Sequence, residues 1–170
     1  PPEVAVSLFG HEASSAPLYA DGNDEQRARL LPDFVAGRKL FCTGSTEPDT
    51  GSDPRGVRTR LTRSGGRLLL NGRKMWFTNG PSADVAVIYV TLDQQLRARG
   101  ITAFIVEKGT PGFYPAQKLD KLGMRGSETA ELVLDNCEIP TANLLHHEGH
   151  GAHVLMSGLD YERVVLSGGP

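Results

Sequence analysis

The hydrophobic period changes twice along the chain, and this restricts the possible folds more than any other feature. Residues 1 to about 38 read as helical. Within them, "GNDEQRARLLPDFVAG" offers Asn23 or Asp24 as an N-cap, acids in the first turn and Gly37 as a stop, with Pro32 expected to kink or break the helix. From Lys39 to about Pro140 the chain becomes a series of short β-branched runs: "VRTRLTRS", "RLLLNGRKMWFT", "DVAVIYVTL", "ITAFIVEK" and "TAELVLDNCEI". Ser64–Gly66 and Asn71–Gly72 predict tight turns between strands. No helical segment separates the runs, which favours an antiparallel sandwich or barrel over a parallel sheet. From Gly149 the period returns to 3.6. The expected architecture is α+β: helix over 1–38, a central antiparallel β-domain over 39–142, and a helix within 143–170.

Other features narrow the function classes. A net charge of −2 on 170 residues gives no basic field for nucleic acid. No apolar run approaches the ~18 residues of a membrane span. "PPEVAVSLFGHE" lacks the basic start and apolar core of a signal peptide. Two isolated cysteines, Cys42 and Cys137, make neither a disulfide framework nor a zinc site and favour a reducing compartment. The absence of an initial Met and the stop at "SGGP" lead us to expect a fragment.

Four segments outside the helical periodicity are candidates for chemistry. "STEPDTGSD" (Ser45–Asp53) packs Thr, Ser and Gly closely and could aim hydroxyls and backbone N–H groups at a phosphate or another polar ligand. On composition alone an ordinary turn is the stronger reading. No Walker lysine or GxGxxG pattern is present. "KMWFTNG" (Lys74–Gly80) holds the single tryptophan; a regular strand would put Trp76 and Thr78 on one side, an aromatic wall beside a hydroxyl. A core tryptophan is the plainer alternative. The charges of "LDKLGMRGSETAELVLDNCEIP" read as a solvated face. "HHEGHGAH" gathers four of the five histidines. Metal binding is conceivable there, but with no Cys or carboxylate at regular ligand spacing it reads as a loop entering a helix, and no metal is expected.

Glu162 is the sharper candidate. Leu155, Leu159, Glu162 and Leu166 share one helix face. The positions three and four away from Glu162 are Leu159, Gly158, Val165 and Leu166, none of them basic. Arg163 points roughly 100° away. An unpaired carboxylate on an apolar face has a raised pKa, as a base working near neutral pH requires. A cation from another segment is the competing reading.

Together these segments resemble the acyl-CoA dehydrogenase family. "TEPDTGSD" (Thr46–Asp53) and "WFTNG" (Trp76–Gly80) are similar to its two signatures. "ITAFIVEKGTPGF", "KLDKLGMRGSETAELVLDNCEIP" and "LMSGLDYERVVLSGGP" follow in the expected order. "TNGPSADVAVIY", "KLDKLGMRGS" and "LDYERVVLSGGP" look most like the isovaleryl-CoA dehydrogenase branch. The resemblance implies the end of an N-terminal helical domain, a complete middle β-domain and the first helix of a C-terminal bundle.

It also implies FAD as cofactor, with Thr43, Gly44, Ser45, Thr46, Gly51 and Ser52 along it, and Trp76, Phe77 and Thr78 against its flavin ring. The implied reaction is α,β-dehydrogenation of an acyl-CoA, with electrons passed to an electron-transfer flavoprotein. Glu162, in the "LDxER"-like Leu159–Arg163, would be the base. Ser52, Arg99, Asp160 and Arg163 would contact acyl-CoA. The branch usually has Ser-Arg where this chain has Ala98-Arg99, and a tyrosine where it has His153, which leaves acyl specificity open. A homotetramer in a bacterial cytoplasm or mitochondrial matrix would fit the relatives. The rival readings are a dehydrogenase of other chain length, an acyl-CoA oxidase, and a non-catalytic flavin-binding or structural fragment.

Overall fold

In the computed structural model, which describes residues 2–167, two helices come first: α1 (Pro2–Asp21) and α2 (Asp24–Val35). A capping box starts α2. The Asn23 side chain accepts from Gln26 N at 2.8 Å, and Gln26 Oε1 accepts from Asn23 N at 3.0 Å. Gln26 Nε2 also donates to the carbonyls of Ala142 and Leu144, tying α2 to the far end of the chain. Pro32 lies inside α2 and does not break it; the helix runs on to Val35, and Gly37 follows at φ 65°. In the last turn the missing proline N–H costs one bond.

Eight strands follow: β1 (Phe41–Gly44), β2 (Arg60–Ser64), β3 (Arg67–Thr78), β4 (Val85–Thr91), β5 (Ile101–Glu107), β6 (Phe113–Lys118), β7 (Thr129–Ile139) and β8 (Leu144–Leu145). They form one open sheet in the order β6-β7-β3-β2-β4-β5-β8, with β1 added beside β4. Most pairings are antiparallel, as expected, but β1 runs parallel to β4, and β2 meets β4 in parallel at Arg60 and Thr91. Gly65 (φ 56°) and Gly66 (φ 80°) close the expected hairpin between β2 and β3. The turn expected at Asn71–Gly72 does not form. Both residues lie inside β3, where the pairing with β7 shifts register between Leu70 and Gly72. A Cβ at Gly72 would stand 2.7 Å from Thr59 Cα, so this glycine answers to a crossing backbone.

The central strands are apolar on both faces, and alternation sends their side chains into two cores. Ala86, Ile88 and Val90 of β4 and Phe104 and Val106 of β5 pack with Leu61, Leu70, Phe77, Leu132 and Leu134 from β2, β3 and β7. The sheet therefore folds over its own core, in the manner of a sandwich. Val85, Val87, Tyr89, Ile101, Ala103 and Ile105 face the other way and pack on Leu18 of α1 and Leu30 of α2. Val154 and Leu155 of the last helix, α3 (Gly151–Ser167), join this second core, with Leu159 packed at its border. The Leu166 side chain of the predicted stripe, and the final Gly168–Pro170, lie outside the described residues. No helix among the described residues is long and apolar enough to cross a membrane.

Candidate active site

The segment after β1 is held by an ion pair closed off from water. Lys74 Nζ lies 2.8 Å from Glu47 Oε1, with side-chain exposures of 0% and 5%. Glu47 also accepts from the backbone N–H groups of Arg58 (2.7 Å) and Thr59 (2.9 Å), and Lys74 donates to Ser45 O. Burial alone would raise the Glu47 carboxyl, but the Lys74 ammonium and the hydrogen bonds from Lys74 and Thr59 hold it below its ordinary value. Burial brings Lys74 down to about 8 against the attraction of Glu47. The Ser45–Asp53 stretch is thus clamped at its root, with Gly51 and Ser52 exposed beyond the clamp.

The same region sits against the end of β3. Met75 N donates to Thr46 O at 2.9 Å. Gly44 packs on the Phe77 ring so closely that a Cβ would be 2.7 Å from it. β3 passes from Lys74 to Phe77 while its partner β7 passes only from Leu132 to Ala130, so β3 carries a bulge. Trp76 lies in that bulge at φ 65° and is 60% exposed. It is not the core tryptophan that a regular strand would give. A large aromatic side chain held outward from strained backbone is a candidate binding surface.

Thr43 and Thr78 line a cavity of about 170 Å³ together with Glu162. The remaining wall comes from α1: Val6, Phe9, Gly10, Ala13 and Ser14. α1 can approach this closely because residue 10 is glycine, whose Cβ would lie 3.0 Å from Thr78 Cγ2. Asn79 Nδ2 donates to Ser7 O at 2.8 Å and fixes the helix there. Thr43 Oγ1 donates to Val87 O at 3.4 Å and shares a hydrogen bond with Tyr89.

Glu162 is half-buried and has no cationic partner among the described residues. Arg163 pairs instead with Asp160, at 3.5 Å. Burial raises the Glu162 pKa, and the charge of Arg163 opposes this. The buried Tyr89 hydroxyl is raised chiefly by desolvation; the Thr43 hydrogen bond opposes this, and the Glu162 and Asp21 charges add to it.

The other predicted residues are arranged differently. Ser52 lines a separate cavity of about 380 Å³ with Ala98, Ile101 and the first turns of α3. Asp160 and Arg163 are exposed and face neither cavity's lining. Arg99 is exposed, while its neighbour Arg97 reaches Asp53 at 3.6 Å. His153 stands 3.7 Å from Asp21. Sequence reasoning missed the α1 wall and the Glu47–Lys74 clamp. The only local sign of the wall was a glycine between Phe9 and His11 in an otherwise helical run.

A sheet folded over its core, flanked by helices, with a carboxylate that has no cationic partner among the described residues sharing a cavity with two threonines, is an architecture with known counterparts. The structure matches butyryl-CoA dehydrogenase from Megasphaera elsdenii with a TM-score of 0.93 and 38% identity, over 97% of this chain and 44% of that one. Residues 42–137 match the family model "Acyl-CoA dehydrogenase, middle domain". The chain belongs to the acyl-CoA dehydrogenase family. It is 50% identical over 168 residues to the mitochondrial isovaleryl-CoA dehydrogenase of Arabidopsis thaliana, covering 98% of this chain and 41% of that protein. It is 49% identical over 155 residues to that of Pongo abelii, covering 90% and 37%. The chain therefore spans about two fifths of the length of these relatives.

Proposed function

We propose that this chain is the flavin- and base-bearing part of an FAD-dependent acyl-CoA dehydrogenase acting on a short branched acyl thioester, isovaleryl-CoA-like, as in leucine breakdown. The observation that carries this reading is the cavity shared by Glu162, Thr43 and Thr78. It joins a carboxylate of raised pKa, with no cationic partner among the described residues, to threonines of two different strands.

The residues present suit FAD. Trp76 offers an outward aromatic face, Gly44 allows a close backbone approach, and Thr43–Thr46 offer hydroxyls and backbone groups on one strip beside it. Those residues, with Gly51, Ser52, Phe77 and Thr78, would hold it. When bound, FAD supplies the hydride acceptor for the β-carbon.

Glu162 takes the α-proton onto its carboxylate. The pKa raised by burial suits a base that must release that proton again near neutral pH. The apolar α1 wall, Phe9 and Ala13 above all, keeps water from the acidified α-carbon. Ser52, Arg99, Asp160 and Arg163 contact the CoA portion. Electrons leave to an electron-transfer flavoprotein, and the full-length protein is a homotetramer of a bacterial cytoplasm or mitochondrial matrix.

The test is the flavin-loaded, full-length protein assayed with an artificial electron acceptor against straight and branched acyl-CoAs. The highest kcat/KM should fall on isovaleryl-CoA. A yellow protein reduced by none of the panel would contradict the proposal, and rapid reoxidation of the reduced flavin by oxygen would make it an oxidase instead.

A further inference from the structure

We propose a second site on this chain, a surface centre for a divalent transition-metal ion formed by His146, His147 and His150. These residues fill the turn between β8 and α3. One ring nitrogen from each lies within 4.8 Å of those of the other two. His146 Nδ1 and His147 Nδ1 are in direct contact, and the His146 and His150 rings stack at 4.8 Å and 7°. A tetrahedral ion about 2.0–2.1 Å from each nitrogen needs donors roughly 3.3 Å apart, so rotation of exposed side chains completes the set.

The backbone under these rings is fixed. Gly149 N donates to Thr102 Oγ1 at 3.0 Å, and Gly149 packs on Arg99 O, where a Cβ would be 2.7 Å away. His150 N donates to His147 O, and His150 O accepts from Val154 N to start α3. Glu148 pairs with Arg63 and is not one of the clustered groups. His146 is held at φ 61°, a left-handed conformation unfavourable for a non-glycine residue. Three imidazoles with no carboxylate or thiolate among them suit zinc, nickel or copper over magnesium or calcium. Both cysteines are buried and cannot compete. A bound ion would tie the end of β8 to the head of α3, the helix that carries Glu162.

The experiment uses the natural full-length protein without a polyhistidine tag, stripped of metal and titrated with Zn²⁺ in competition with a chromophoric chelator. We expect one Zn²⁺ per chain with a micromolar or tighter dissociation constant. His147→Ala and His150→Ala should each weaken it at least about tenfold, and His153→Ala, one turn further along α3, should leave it within about threefold. Absence of binding, or binding unchanged in the first two variants, overturns the site. Copper EPR of the unmutated protein gives a reading that no folding defect can confuse. Coupling to imidazole nitrogens is expected, and oxygen-only ligation overturns the site.

Discussion

Lys74 donates its ammonium to Glu47 across 2.8 Å in a region closed to water, and the two backbone N–H groups of Arg58 and Thr59 complete the carboxylate's partners. Removing one member strands the other. Lys74→Met should lower the unfolding free energy by about 3–5 kcal/mol, and Glu47→Gln/Lys74→Met should cost less than Lys74→Met alone. Denaturant titration checks both. The acid limb has a defined sign. Glu47 sits below its ordinary 4.5 in the folded state, so its stabilisation is complete above that value and is lost as pH falls through the folded one.

Gly44 tests how closely the two segments proposed to hold FAD must approach. An added methyl would meet the Phe77 ring, itself only 1% exposed and unable to move aside. Gly44→Ala should destabilise by about 1–3 kcal/mol. It should also weaken retention of FAD, read from the visible flavin absorbance after gel filtration.

Trp76 is the only tryptophan, so its emission reports one environment. At 60% exposure the flavin-free protein should emit as a solvated indole, and added FAD should quench it. Trp76→Ala should change stability by no more than about 0.5 kcal/mol, since the residue touches little of the core. It should nonetheless weaken FAD binding. Emission already blue-shifted and insensitive to FAD would show that Trp76 does not face the flavin.

These sites were unequally legible in the sequence. Strands β3 and β7, the Ser64–Gly66 turn and the Asn23 cap are written locally, in alternation, glycine placement and capping chemistry. Glu162 stood out because helical spacing alone showed it without a local cation. What was hidden depends on distant segments. Asn71–Gly72 looks like a hairpin turn until β7 pairs across it, and Trp76 looks like a core residue until the bulge opposite Leu132 and Ala130 turns it out. Strands β1 and β8 are too short for a periodic signal. The α1 wall of the cavity depends on a long-range approach of Gly10 to Thr78.

Glu162 should also weigh against stability at neutral pH. Its unfolded value is near 4.5 and its folded value is higher, so between the two the native state binds more protons than the unfolded state, and stability falls as pH rises. Glu162→Gln removes that dependence. The variant should melt at a higher temperature than the parent near neutral pH, and the two should converge below the unfolded value. Equal melting temperatures at both pH values would mean that the carboxylate is not desolvated.

The central claim is that Glu162 is the base. The direct measurement is the single-turnover rate of flavin bleaching by isovaleryl-CoA in the full-length, FAD-loaded Glu162→Gln variant, set against the parent. Loss of a positioned base predicts a fall of about 10²–10⁴-fold with the flavin spectrum and FAD content unchanged. Bleaching at a rate close to that of the parent would show that another group removes the α-proton.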